Sequence, residues 1–152
     1  MRIACQTLPY ANVYLDTSLQ VIHVEWDGLV PSYVFRQTIA CVLELLKSRE
    51  VYGCIYDLAK LKSIPPQDQD WLIEEVVPLL SKSSLRKVAF LESFTRLGQL
   101  NMSELVYSSF PTINFEFQYF ENVEAAMEWL GQKNFTAQRH KFANGRAKLS
   151  AV

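Results

Sequence analysis

The polar residues best placed to do chemistry lie in one junction, residues 55–72, which reads IYDLAKLKSIPPQDQDWL. An apolar run of strand character ends near Asp57, and a helical pattern begins at Pro66. Ligands of open α/β sheets collect outside the carboxyl ends of the strands, and a helix N-terminus favours an anion. The junction therefore predicts a binding or switching site. Its candidate residues are Asp57, Lys60, Lys62, Ser63 and Asp68.

Two interpretations of this junction stay open. An aspartate after a strand can simply accept a hydrogen bond from the turn that follows it, and Asp57 would then be structural. Alternatively, Ser63 could be a switch, because a phosphate adds about −1.5 to −2 charges, here beside two lysines and a helix N-terminus.

Four carboxylates near the start of the same helix suggest paired groups for acid–base chemistry. They are Asp68, Asp70, Glu74 and Glu75. Asp70 and Glu74 share a helical face at i, i+4. The sequence places no apolar or cationic neighbour beside them that would separate their pKa values into an acid and a base. A solvated helix face is the simpler interpretation.

Other signs of catalysis or metal binding are absent from the sequence. The chain has two histidines, His23 in a strand pattern and His140 near the C-terminus, and no H-x-x-x-H or Cys/His cluster. It also lacks the glycine-rich nucleotide loops and the G-x-S-x-G nucleophile pattern. We therefore predict no enzyme activity, no metal site and no cofactor, and we interpret His23 as an ordinary strand residue.

Composition points to an ordinary globular domain. The chain has 152 residues, 49% of them hydrophobic, and a net charge of −1, which gives no general attraction to nucleic acid or to a membrane surface. Its three cysteines, Cys5, Cys41 and Cys54, form no C-x-x-C pair, which suits a reducing cytoplasm, and Cys41 and Cys54 are expected to be small buried hydrophobes. The opening MRIACQTLPY lacks a signal-peptide core, and no apolar run is long enough to span a bilayer.

The elements are predicted to alternate in the order β-β-α-β-α-β-α-β-α. Strands are expected at 10–16, 19–26, 51–58, 86–92 and 114–120, and helices from 31, from 66, over about 94–109 and over 123–130. Pro78 is expected to end or kink the second helix, and Asn122 to cap the last one. The first helix carries one apolar stripe at i, i+4, i+7 and i+11: Phe35, Ile39, Val42 and Leu46. The first two strands form a hairpin, and in the second strand Val21, His23 and Glu25 share one face. The fold class is therefore α/β, a single domain whose mixed, mostly parallel sheet of four to five strands carries helices mainly on one face.

The last residues differ from the rest of the chain. From residue 133 to residue 148 there are five basic residues and no acid, with sparse apolar positions. We predict a folded domain over residues 1–131 and a flexible basic tail over 132–152. Such a tail could touch nucleic acid or an acidic protein, although a solvated tail is commoner.

Three stretches carry a family resemblance: YDLAKLKSIPPQDQDWL, RKVAFLE and FQYFENVEAAMEWL. Together they resemble the STAS-like domains of the bacterial SpoIIAA-like group, small cytoplasmic proteins loosely grouped with SEC14-type lipid-binding folds. The resemblance implies a non-enzymatic module. In phosphorylatable relatives the serine that takes the phosphate begins the helix after the aspartate-bearing strand. Here Pro65 occupies the capping place and Ser63 lies two residues before it.

Two functional hypotheses follow. The first is a regulatory module that binds a protein partner through the loop after Asp57 and the exposed face of the helix that starts at Pro66. The second is a carrier of a small apolar ligand or lipid, suggested by nine Phe, seven Tyr and three Trp residues and by the SEC14-type grouping. Edge strands would also be compatible with a homodimer.

Overall fold

A computed structural model describes residues 1–92 and 114–132 of the chain. Its strands are β1 (Arg2–Leu8), β2 (Ala11–Asp16), β3 (Val21–Leu29), β4 (Gly53–Ser63), β5 (Lys87–Leu91) and β6 (Glu116–Phe120). Its helices are α1 (Ser32–Ser48), α2, built of the consecutive segments Pro66–Trp71, Leu72–Val76 and Val77–Lys82, and α3 (Val123–Leu130). The predicted α/β class with a mixed sheet is confirmed, although the sheet has six strands and not four or five.

The strands lie in the sheet in chain order, from β1 at one edge to β6 at the other. The first three strands pair antiparallel, and β3 to β6 pair parallel. The predicted hairpin of β2 and β3 is confirmed: in its turn, Asp16 Oδ1 accepts hydrogen bonds from the backbone N–H groups of Ser18 and Leu19. Two parallel connections, through α1 and α2, then follow the hairpin.

The extra strand is β1, which the sequence did not indicate. It is an edge strand, and most of its residues are exposed, so it lacks the alternation of apolar and polar residues that marks a half-buried strand. Backbone pairing with β2, interrupted by one irregularity between Ala4 and Gln6, holds it in place.

Helices α1 and α2 cover one face of the sheet, as predicted, while α3 packs against the other face. The stripe of α1 predicted at i, i+4, i+7 and i+11 is buried: Phe35, Ile39, Val42 and Leu46. Trp26 of β3 stacks on Phe35 with 5.1 Å between ring centroids. On the opposite face, Ala126 of α3 packs with Ile55 and Ala89 in a smaller cluster.

Pro78 was predicted to end or kink helix α2; the helix continues through it to Lys82, so the first of these alternatives is wrong. A π-helical turn, Leu72–Val76, immediately precedes the proline-bearing segment. Proline has no N–H to donate and its ring crowds the preceding turn, and a wider turn is one way to accommodate it. The buried residues of this turn, Leu72, Ile73 and Val76, keep it packed on the core.

Helix α3 has the bounds that the sequence predicted, 123–130. Asn122 is the N-cap of α3, and its side chain accepts a hydrogen bond of 2.8 Å from the backbone N–H of Ala125. Gly131 follows the helix as its C-cap. The helix predicted over 94–109 and the basic tail, from residue 133 onward, lie outside the described residues. Among the helices of residues 1–92 and 114–132, none has the length and hydropathy needed to cross a bilayer.

The burial of Cys54 leads to a prediction about thiol reactivity. Its side chain is buried in β4, and burial raises the pKa of this thiol to about 12, whereas Cys5 is exposed. The reactive thiolate is therefore scarce at pH 8, roughly one part in ten thousand for such a pKa. We expect a thiol reagent at pH 8 to label Cys5 within minutes and Cys54 only after denaturant is added.

Peptide mapping by mass spectrometry after timed quenching checks this. A Cys5→Ser variant serves as the control, because it removes the fast site and leaves the slow one unchanged. Labelling of Cys54 in the folded protein at the rate of Cys5 would contradict the packing described for this strand.

Candidate functional site

The junction after Asp57 is a strand and not the loop that the sequence predicted. Strand β4 runs to Ser63, five residues beyond the predicted end at Leu58, so Lys60, Lys62 and Ser63 belong to it. The reason is that β3 is also longer than predicted and keeps pairing with β4, since Leu29 lies opposite Ser63. Buried Leu61 anchors this part of the strand.

This last part of β4 projects beyond the neighbouring strand on its other side. The pairing of β4 with β5 ends where Asp57 lies opposite Leu91. From that point the pairing described for β4 is with β3 alone, and the two strands form a two-stranded extension. Lys60, Lys62 and Ser63 are all exposed on it.

Asp57 lies at the root of the extension, where the register between β3 and β4 shifts. Its Oδ1 accepts a hydrogen bond of 3.1 Å from the backbone N–H of Ala59, so one carboxylate oxygen does hold the local backbone. Its Oδ2 is 3.5 Å from Nε2 of His23. The structural interpretation of Asp57 therefore accounts for one of its two oxygens.

The sequence did not assign a role to His23 and Glu25, which the structure brings together with Asp57. Donor atoms of these three side chains all lie within 4.8 Å of one another, and all three residues are half-buried. The sequence showed that His23 and Glu25 share a face, but the third member became evident only from the pairing of β3 with β4. An imidazole nitrogen next to two carboxylates is a donor set that can hold a metal ion.

A polar cavity of about 130 Å³ adjoins this group. It is lined by Glu25 and Asp57, by Asn12 of β2 and by Lys60 of the extension, among others. The Oδ1 atom of Asn12 is buried and has no hydrogen-bond partner among the described residues.

The prediction that Asp68 belongs to a solvated helix face is wrong, because its side chain is completely buried. Its Oδ1 accepts two hydrogen bonds of 2.9 Å, from Oγ of Ser32 and from Nε of Arg36. Arg36 also lies over the ring of Trp71, 4.6 Å from its centroid. Asp68 therefore joins the first turns of α1 and α2. The other three carboxylates, Asp70, Glu74 and Glu75, are exposed as predicted.

The N-cap of α2 is the proline that the sequence indicated, and not the serine of phosphorylatable relatives. Pro65 is the N-cap of α2 and makes no side-chain capping bond. Ser63 is exposed at the end of β4, and its backbone carbonyl accepts a hydrogen bond from the N–H of Val30.

Two large apolar side chains are exposed on the stretch of chain that leads from the end of β3 into α1. Leu29, which lies opposite Ser63 in the register, is 66% exposed, and Tyr33, in the first turn of α1, is 71% exposed. We call Leu29, Tyr33, Lys62 and Ser63 the extension surface.

The core contains a wholly apolar cavity of about 70 Å³ between the sheet, α1 and α2. An engineered cavity of about 150 Å³ holds a benzene molecule, so the present space is smaller than a ring needs and much smaller than a lipid chain needs. The hypothesis of a lipid carrier is therefore not favoured by the described residues.

The burial of Asp68 leads to a prediction about stability. Replacing Asp68 by alanine leaves the groups of Ser32 and Arg36 without their acceptor, which we expect to lower the free energy of unfolding by about 2–3 kcal/mol. Asp68→Asn keeps the shape and one acceptor, so its loss should be smaller.

Urea denaturation followed by circular dichroism gives these free energies. Asp70→Ala is the matched control in the same helix, and its effect should stay within about 0.5 kcal/mol because that side chain is exposed. Equal losses for Asp68→Ala and Asp70→Ala would show that the contact between α1 and α2 adds nothing.

Comparison with known proteins supports the fold alone. No protein-family model matches the sequence, and no curated protein matches it. Among solved structures, the chain is similar to an uncharacterised protein of the DUF3478 family from Shewanella loihica PV-4, described as having a SpoIIAA-like fold. The TM-score is 0.60 at 14% identity, over 82% of this chain and 97% of that one. The resemblance to SpoIIAA-like domains is thus confirmed at the level of architecture, and this chain has a SpoIIAA-like fold.

Proposed function

We propose that this domain is a non-enzymatic protein-interaction module that binds its partner through the extension surface. The observation that carries the proposal is the exposure of Leu29, which lies opposite Ser63 at the end of β4, and of Tyr33 in the first turn of the helix that follows. A leucine and a tyrosine exposed next to polar residues are typical of a protein-binding patch, in which tyrosine often contributes much of the binding energy.

The backbone under this surface also supports a binding role. Leu29 and Ser63 lie opposite each other on paired strands, and the N–H of Val30 donates a further bond of 3.2 Å to the carbonyl of Ser63. The backbone at Leu29 and Ser63 is therefore ordered before a partner arrives, which reduces the entropy lost on binding.

The charges indicate what kind of partner would fit. Lys60 and Lys62 are exposed on the extension, while the chain as a whole has a net charge of −1. We infer a partner with an apolar patch bordered by acidic residues, because complementary charges speed association and favour one orientation. The exposed hydroxyl of Ser63 would then be a point of regulation, since a phosphate there would bring negative charge beside Lys62.

Site-specific crosslinking in cells tests the proposal. A photoreactive phenylalanine analogue replaces Tyr33 in one variant and Leu79 in another. Leu79 is 50% exposed but lies in the last segment of α2, at the opposite end of that helix from the extension. We expect adducts of discrete mass at position 33, and Leu29→Asp in the same chain should reduce their yield about tenfold or more, as for a central contact.

Leu29→Asp combined with the probe at position 79 measures any general loss of folded protein. An adduct of twice the 17.5 kDa chain mass would identify a second copy as the partner. Ser63→Glu should also lower the yield at position 33. Equal adduct formation at positions 33 and 79, or no response to Leu29→Asp, would overturn the proposal.

A further inference from the structure

The group formed by His23, Glu25 and Asp57 lies on the sheet face opposite α1 and α2, apart from the extension surface. Glu25 of β3 is paired directly opposite Asp57 of β4, and His23 precedes Glu25 by two residues, so it points to the same face. Three donor side chains thus converge from two neighbouring strands, with their donor atoms within 4.8 Å of one another.

The charges of this group are unbalanced. Two carboxylates whose oxygen atoms lie within 4.8 Å of each other repel. Within residues 1–92 and 114–132, neither Glu25 nor Asp57 has an ion pair with a lysine or arginine, and Lys60, which lines the adjoining cavity, is exposed. A bound cation would remove the repulsion between the two carboxylates.

The geometry between His23 and Asp57 also fits a metal. The Nε2 atom of His23 is buried and makes no hydrogen bond to any described residue, although Oδ2 of Asp57 is only 3.5 Å away. Two ligands of a tetrahedral Zn²⁺ ion, each about 2.0–2.1 Å from it, lie roughly 3.3–3.4 Å apart. The bond from Ala59 to Oδ1 already holds the Asp57 carboxylate with Oδ2 toward the imidazole.

The adjoining cavity leaves room for a further ligand. Its volume of about 130 Å³ is enough for several water molecules, and its wall includes Glu25, Asp57 and Asn12. The buried Oδ1 of Asn12, which has no partner among the described residues, would gain one in a metal-bound water. Three protein ligands with an open fourth position are typical of accessible zinc sites.

From these observations we propose that His23, Glu25 and Asp57 bind a divalent transition-metal ion, with Zn²⁺ as the preferred ion, and that its open position faces the cavity beside Asn12. Imidazole is a good ligand for Zn²⁺ and a poor one for the oxygen-seeking ions Mg²⁺ and Ca²⁺. The proposal is independent of the protein-binding role of the extension surface.

Metal binding to the full chain tests this. The protein is freed of metal with a chelator, and Zn²⁺ binding is measured by calorimetry at pH 7. We expect one ion per chain, with affinity at least tenfold lower in His23→Gln and in Asp57→Asn, because each removes one ligand. Glu25→Gln is a third variant, which keeps the test decisive if one of the others fails to fold.

Two controls separate this site from other donors. The Cys5→Ser, Cys41→Ser double variant should bind Zn²⁺ as the parent does, and Co²⁺-loaded protein should lack the near-ultraviolet band that a thiolate ligand gives. Lys60 lines the same cavity but is not a proposed ligand, so Lys60→Gln should not weaken Zn²⁺ binding. Absence of Zn²⁺ binding below about 100 μM, or binding that all three ligand variants leave unchanged, would overturn the proposal.

Discussion

The parallel pairing of β3 with β4 is the constraint on which the rest of the structure depends. Side chains alternate along a strand, so a slip of one residue would carry every side chain of β4 to the other face. In the observed register, Cys54 and Tyr56 point to the core beneath α1 and α2, while Ile55 and Asp57 point to the face that α3 partly covers. The same register places Glu25 opposite Asp57 and Leu29 opposite Ser63. The grouping of Glu25 with Asp57 and the placement of Leu29 beside Ser63 both follow from one strand pair.

The sequence predicted those elements whose residues repeat with a clear period or carry a cap. The buried stripe of α1 and the Asn122 cap of α3 are examples, since both depend on residues close together in the chain. Two strand features were missed for a common reason. Strand β1 and the last residues of β4 are held mainly by backbone pairing with a neighbour, and they contain many exposed side chains. Backbone hydrogen bonds leave no signature in residue type.

The candidate residues show the same limit. Asp68 was interpreted from its position in the first turn of a helix, where carboxylates are usually solvated, but α1 packs across that turn and supplies Ser32 and Arg36. Those partners are 36 and 32 residues away in the chain, so only the tertiary structure could show them. For His23, the sequence showed that it shares a strand face with Glu25. Only the pairing of β3 with β4 showed that Asp57 lies beside them. The local sequence pattern therefore predicted on which face of a strand or helix a polar residue lies. It did not predict which polar residues come into contact in the folded protein.

The two proposed sites lie a few residues apart on the same pair of strands, β3 and β4. Within residues 1–92 and 114–132, the strand pairing of β4 beyond Asp57 is with β3 alone, and the β3–β4 register shifts at the root of the extension. At that root, Asp57 holds the backbone of Ala59 with one oxygen and faces His23 with the other. A metal ion bound by Glu25 and Asp57 would join the two strands through their side chains just where the regular register ends. Since the extension surface begins only a few residues further along, metal occupancy would stiffen the base of the surface that we propose for partner binding. A link between metal and partner binding would then need no movement of the core, because both sites act on the same pair of strands.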